Sequence, residues 1–211
     1  GYLYDRSFKL LFDRQKKIRQ QLNDAGAEFV ITYLDEKGQN DKSDKYGLIH
    51  SDDHFEEFQL LFQLLQRDKT IGIITKSQFP KYNFSNYFSD EPIVHDAIQT
   101  KRFIELSKGT IRNVIFPAES ALASDMVIAS VIGASAGLEA ALIGKRCILL
   151  NTYNIRGENI EIFKQADILY DNMDSALNAI LSFRKGDSKY KNLGDWSPII
   201  DQYDPYRDGK A

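Results

Sequence analysis

The sequence has little of what staples, anchors or strongly charges a protein. It contains one cysteine, Cys147, in 211 residues, so no disulfide can form within the chain, and a reducing, cytoplasmic setting is expected. No apolar run approaches the ~20 residues needed to cross a bilayer, and no signal segment opens the chain. Charge of one sign is also missing. Lys and Arg number 27 against 30 Asp and Glu, a net charge of −3, which supplies no broad positive field for nucleic acid. No repeat of solenoid period is present. What remains is an ordinary globular chain, 43% hydrophobic and 27% charged, able to bury a core without disulfide or metal. Cys147 lies in the apolar run Cys147-Ile-Leu-Leu150 and reads as a core thiol.

Apolar patterning divides the chain into alternating helices and strands. A first helix carries Phe8, Leu11, Phe12, Ile18 and Leu22 on one face and stops at Gly26. Glu28 to Leu34 reads as a buried strand ending at Asp35-Glu36, followed by a polar loop over 37–45. Ser51 is expected to cap a helix bearing Phe55, Phe58, Phe62 and Leu65, with Asp52 and Asp53 in its first turn. Thr70 to Thr75 is a second strand, ended by Lys76. Residues 77–90 read as an aromatic, turn-rich connection whose rings anchor a loop or stack a ligand. A helix is predicted from Pro92 to Ser107 on the strength of Ile93, Ala97 and Ile104, and a third strand from Ile111 to Phe116. Shorter units follow: a helical turn at 118–123, a strand at 126–131, a helix at 135–143 closed by Gly144, and a strand at 146–150. A helix near 158–164, a strand at 168–170 and a helix carrying Met173, Leu177, Ile180 and Leu181 complete the pattern. Residues 186–211 are expected to wrap the surface. The alternation predicts one α/β domain, a parallel sheet with helices on both faces, of Rossmann-like build.

The segment richest in chemistry runs from Asp125 to Leu150. It reads as strand, small-residue turn, helix, glycine stop, strand. Gly133, Ala134, Ser135, Ala136 and Gly137 keep a helix N-terminus open, where backbone N–H groups and the helix dipole attract an anion. Ligands of open parallel sheets bind beyond the carboxyl ends of strands, where this turn falls. Two familiar phosphate loops do not fit. Gly144-Lys145 follows the helix instead of preceding it, and Gly133-Ala-Ser-Ala-Gly137 lacks the spacing of GxGxxG. Glu139, one turn into the helix, cannot bind phosphate but can accept hydrogen bonds from a ribose diol.

Ser135-Ala-Gly-Leu-Glu-Ala-Ala-Leu-Ile-Gly-Lys145, preceded by the strand Ala-Ser-Asp-Met-Val-Ile, resembles the donor-binding motif of GT-B glycosyltransferases. More narrowly, the chain is similar to a bacterial surface carbohydrate group that builds capsule or lipopolysaccharide. Thr32-Tyr-Leu-Asp-Glu36, His50-Ser-Asp-Asp-His54, Ile73-Ile-Thr-Lys76, Pro117 to Asp125 and Arg207-Asp-Gly-Lys-Ala211 add to the likeness, which spans most of the chain from about residue 28. The resemblance implies a nucleotide-sugar donor as substrate, no metal and no separate cofactor. It implies phosphate on Ser135, Ala136 and Gly137 and ribose on Glu139; the Phe116 backbone, at the end of the expected third strand, is the expected contact for the base edge, and Lys76 is a candidate cation. The glycan acceptor and the general base belong to an N-terminal domain, so no catalytic residue is named within this chain. The start at Gly1 and the stop at Ala211 fit a fragment lacking that domain, and the full protein is expected to associate peripherally with a membrane.

The same residues also have structural readings. The small residues at 133–137 serve a helix packed closely on its strand. Glu139 and Lys76 can be solvated surface groups. His50 and His54, with Asp52 and Asp53, read as a helix start more readily than as a metal site, because His50 precedes the helix. Two further functions stay open. A nucleotide-sugar epimerase of GT-B architecture needs its own acids and histidines, and the chain has only three histidines. A non-catalytic Rossmann-like module is the other.

Overall fold

Continuous apolar runs become the central strands. The structure, a computed structural model, describes residues 8–35, 51–77, 84–106, 109–110, 113–203 and 205. Helix α1 (Phe8–Asp24) leads through Gly26, at φ +97°, into β1 (Phe29–Asp35). Helix α2 (Ser51–Arg67) precedes β2 (Ile71–Ser77). The single turn α3 (Phe84–Tyr87) and α4 (Pro92–Gln99) then lead to β3 (Phe103–Leu106). A two-residue antiparallel pair, β4 (Gly109–Thr110) with β5 (Asn113–Val114), intervenes before α5 (Pro117–Leu122). The second half alternates regularly: β6 (Met126–Ser130), α6 (Ala134–Leu142), β7 (Cys147–Leu150), α7 (Glu158–Gln165), β8 (Leu169–Tyr170) and α8 (Met173–Arg184).

The main sheet has six strands in the order β3-β2-β1-β6-β7-β8, all parallel. With the small β4–β5 pair set aside, chain order across the sheet is third, second, first, fourth, fifth, sixth. This is the doubly wound order of Rossmann-like folds, with its switch point between β1 and β6. Helices cover both faces, as a sheet buried on both sides requires. One face packs Ile31, Tyr33, Ile73 and Ile128 against Phe58, Leu61, Val94 and Ile180 of α2, α4 and α8. The other packs Leu34, Val127, Ala129 and Leu149 against Ala121, Ala140 and Phe163 of α5, α6 and α7. Leu22 of α1 joins Val30 and Ile74 on that second face.

Two predicted elements are corrected. The helix expected over Pro92–Ser107 ends at Gln99, and the third sheet strand is Phe103–Leu106, not Ile111–Phe116. Lys101 adopts φ +57°, turning the chain out of α4. Arg102 then enters the core, 4% exposed, and donates to the carbonyls of Leu65, Asp68 and Ile71. Ile104 completed a helical period with Ile93 and Ala97 only by coincidence of spacing across that turn. The loop at 37–45, His50 and the side chain of Ser51 lie outside the described residues.

Residues 193–200, after α8, contribute to the core. Leu193, Trp196, Ile199 and Ile200 are buried. The Trp196 indole donates to the Cys147 carbonyl at 2.8 Å, and the Cys147 amide donates to Gly194 O at 2.9 Å. Gly194 sits at φ +67°, and a Cβ there would lie 2.9 Å from the Cys147 nitrogen. Only glycine accommodates both the conformation and the approach.

Candidate functional site

At the switch point, β6 ends at Ser130 and the chain turns through Val131, Ile132 and Gly133 into α6. Gly133 is the N-cap and has no side chain to satisfy the first amides. Ser130 Oγ accepts from the Ile132 amide, and the Ala136 amide donates to Gly133 O at 3.0 Å. The amides of Gly133, Ala134 and Ser135 form no hydrogen bond among the described residues. Three consecutive N–H groups at the positive end of a helix dipole make an anion cradle. Its donors lie slightly upstream of the Ser135–Gly137 stretch expected from the sequence. Ser135 is exposed and Ala136 half-buried.

Gly137 contributes by its size. It is buried, and a Cβ on it would stand 2.9 Å from Leu149 Cδ2, 3.2 Å from Cys147 Sγ and 3.3 Å from Ala129 Cβ. Its absence of a side chain lets α6 press onto β6 and β7 and so fixes where the α6 N-terminus stands. Glu139, 8% exposed, is equally committed. Its Oε1 accepts from the Ala118 amide at 3.0 Å, supplying a cap that the Phe116 side chain cannot offer at the start of α5.

Phe116 is the N-cap residue of α5, not the end of a sheet strand, and its amide donates to Glu119 Oε1. Glu119 also pairs with Arg14 of α1 at 3.1 Å. The Glu139–Ala118 bond thus brings α6 to within two residues of Phe116. Lys76 occupies the same sheet face, two positions beyond Ile74. It is not a solvated strand-end lysine: it is 4% exposed, and Nζ donates to the carbonyl of Ser77.

A groove of about 460 Å³ runs between the N-termini of α6 and α7, with Ser135, Arg156 and Asn159 at its rim and Phe163, Trp196 and Tyr203 along its wall. Its size suits a small-molecule ligand. A larger cleft, about 1000 Å³, lies by the amino ends of the strands between α1 and β3, with Lys16, Lys17 and Lys101 beside it. That cleft is remote from the carboxyl ends where open sheets bind ligands.

The opposite sheet face carries a polar cluster that the sequence reading did not assign. At the carboxyl ends of β1, β2 and β3, under α2, the fold buries Asp35, His54, Glu57, Thr75 and Ser77, with Glu105 beside them. Glu57 accepts from the Tyr33 hydroxyl and from Thr152 Oγ1. Glu105 accepts from the amides of Phe84 and Ser85 and from the Ser85 hydroxyl. Burial raises the Glu105 carboxyl above its ordinary range; those three hydrogen bonds oppose the shift, and the neighbouring Asp35 charge adds to it. The His54 ring meets Phe58 and Phe84 edge-on, at 5.0 and 5.6 Å, and Nε2 lies 3.7 Å from Asp35 Oδ2. Phe84 stacks on Phe58 at 3.5 Å, so this part of the aromatic connection anchors to the core. The sequence signal for the cluster was positional. A polar residue closes each apolar strand at its carboxyl end.

Among the described residues, no group of three or more His, Cys, Asp and Glu side chains is placed to hold a metal ion. No described helix is long and apolar enough to cross a membrane. The chain matches no family model, no curated protein and no solved structure.

Proposed function

We propose that this chain binds a nucleotide-sugar donor, as the donor half of a GT-B-type glycosyltransferase acting in bacterial surface polysaccharide synthesis. The observation that carries the reading is the unpartnered amide run Gly133–Ser135 at the switch point of the sheet, opening beside the groove rimmed by Ser135 and Arg156. In this reading the phosphates lie on those amides, with the Arg156 guanidinium as a second source of positive charge. Such fixed donors stabilise the charge that develops on a departing nucleoside phosphate. The ribose approaches Glu139 and the base edge meets the backbone near Phe116. Lys76, buried on the same face, adds positive potential from below. The general base and the glycan acceptor site belong to the partner domain of a GT-B enzyme.

A purely structural module is the second reading, and Gly137 and Glu139 favour it, because both already serve packing. Binding separates the two. Isothermal titration with a panel of nucleosides and their 5′-diphosphates should show one diphosphate bound and its nucleoside bound far more weakly. Amide resonances of residues 133–135 should move with the diphosphate. Equal affinity for nucleoside and diphosphate, or resonances that do not move, would remove the phosphate from α6.

A further inference from the structure

We infer that Asp35 is a ligand-binding residue, receiving a hydroxyl-bearing group of the bound molecule at the head of β1 together with Thr75. On the nucleotide-sugar reading, on which this rests, that group is the sugar.

Asp35 is 3% exposed, and its Oδ1 is buried without a hydrogen-bond partner among the described residues. Its other oxygen stands 3.7 Å from His54 Nε2, beyond hydrogen-bonding distance. Thr75 is 1% exposed, and its Oγ1 is likewise buried and unbonded. Tyr33 pairs with Thr75 and Asp35 with Ser77 in the β1–β2 register, so these side chains project from one sheet face. Their neighbours are engaged: Glu57 with Tyr33 and Thr152, Glu105 with Ser85, Ser130 with the Ile132 amide. An acceptor-only oxygen and a hydroxyl are thus left open in a setting where burying an unbonded polar group is costly.

The chemistry of the occupant follows. Asp35 and Glu105 interact repulsively, so a phosphate is disfavoured at this position. Ligand hydroxyls answer the chemistry of both open groups, donating to Asp35 Oδ1 and accepting from Thr75 Oγ1. The location also fits. Leu34 pairs with Ala129, so Asp35 and Ser130 end adjacent strands at the switch point, and the unpartnered amides of α6 begin three residues after Ser130. The head of the sheet is therefore two-sided in charge, with amide donors on the β6 side for phosphate and a carboxylate on the β1 side for hydroxyls. A sugar diphosphate carries both groups in one molecule.

The test uses the full chain and its Asp35→Asn and Asp35→Ala variants, titrated with ADP, CDP, GDP, dTDP and UDP, each alone and as its glucose conjugate. For the base that binds, the conjugate should lose about tenfold or more in affinity on Asp35→Ala, the loss of one charge-assisted hydrogen bond. The bare diphosphate should change by less than about twofold. Without ligand, Asp35→Asn should melt at or above the wild-type temperature, because a neutral amide replaces a buried, unbonded carboxylate oxygen. A conjugate that binds wild type and Asp35→Ala alike, or a clear fall in the Asp35→Asn midpoint, overturns the inference while leaving a bound diphosphate to support the nucleotide reading. If no diphosphate binds, the nucleotide reading falls, and this inference with it.

Discussion

Glu139 holds a structural bond in a position that the proposed function also uses, and a short mutation series separates the two roles. Its Oε1 takes the amide of Ala118, a fully buried residue, at 3.0 Å. A hydrogen bond to a charged group contributes about 1.5–3 kcal/mol, and a buried amide left without its acceptor costs about 1–3 kcal/mol. Glu139→Ala should therefore lower unfolding stability by roughly 2–3 kcal/mol. Glu139→Gln keeps an acceptor oxygen and loses the charge, which halves the bond and costs nearer to ~1 kcal/mol. Urea unfolding reads both values as shifts of the midpoint at constant slope. The functional role is read separately, by titrating each variant with a ribonucleoside diphosphate and its 2′-deoxy analogue. If the carboxylate holds the ribose, the ribonucleotide loses more affinity than the deoxynucleotide on going to Ala. That difference is a coupling energy which a general loss of stability cannot produce. Equal stability of the Gln and Ala variants would refute the capping argument. Equal affinity losses for the two nucleotides would refute the ribose contact.

Two further outcomes follow from the packing and the charge. Gly194→Ala should cost at least ~1–2 kcal/mol from its left-handed backbone alone, with more from the 2.9 Å approach to the Cys147 nitrogen; an unchanged melting temperature would show that the tail is not docked this way. Glu105 has its folded pKa raised, chiefly by burial, so the stability tied to its proton is fully present below the ordinary carboxylate range, near ~4.3, and is lost as pH rises through the folded pKa. Glu105→Gln should flatten that part of the stability–pH curve, and a curve that coincides with wild type throughout would contradict the assignment.

Much of the sheet was legible in the sequence, because β1, β2, β6 and β7 are short, largely apolar runs that end at polar residues. The first half of the chain was less so. Phe103–Leu106 carries a glutamate in its centre and follows a helix in matching period, and the signal that ends α4 is a positive φ at Lys101, a residue type that does not advertise it. The α6 motif was readable as strand, turn and helix. Its division of labour was not, because whether a small residue serves a ligand or a neighbouring strand depends on what lies opposite. Gly137 faces Leu149 and Cys147, which no local pattern records. Asp35 and Thr75 were passed over because strand-end polar residues are ordinary in sequence. Only their unbonded burial distinguishes them. The tail from Leu193 to Ile200 lacked a period because it contributes single anchors, Trp196 above all, instead of a repeating face.

The lone cysteine of the chain gives the molecule a built-in probe of its own breathing. Cys147 is fully buried, with its thiol held in the protonated form by desolvation, and it lies between Gly137 of α6 and the chain at Gly194 and Trp196. A thiol reagent can reach it only when that layer opens, and only the thiolate reacts. Labelling under native conditions therefore reports how often α6 and the tail part from β7, by the logic that governs amide exchange through local unfolding. A ligand seated on the α6 N-terminus should slow the labelling in proportion to its occupancy. With a single thiol in the sequence, every molecule of adduct reports on this one layer.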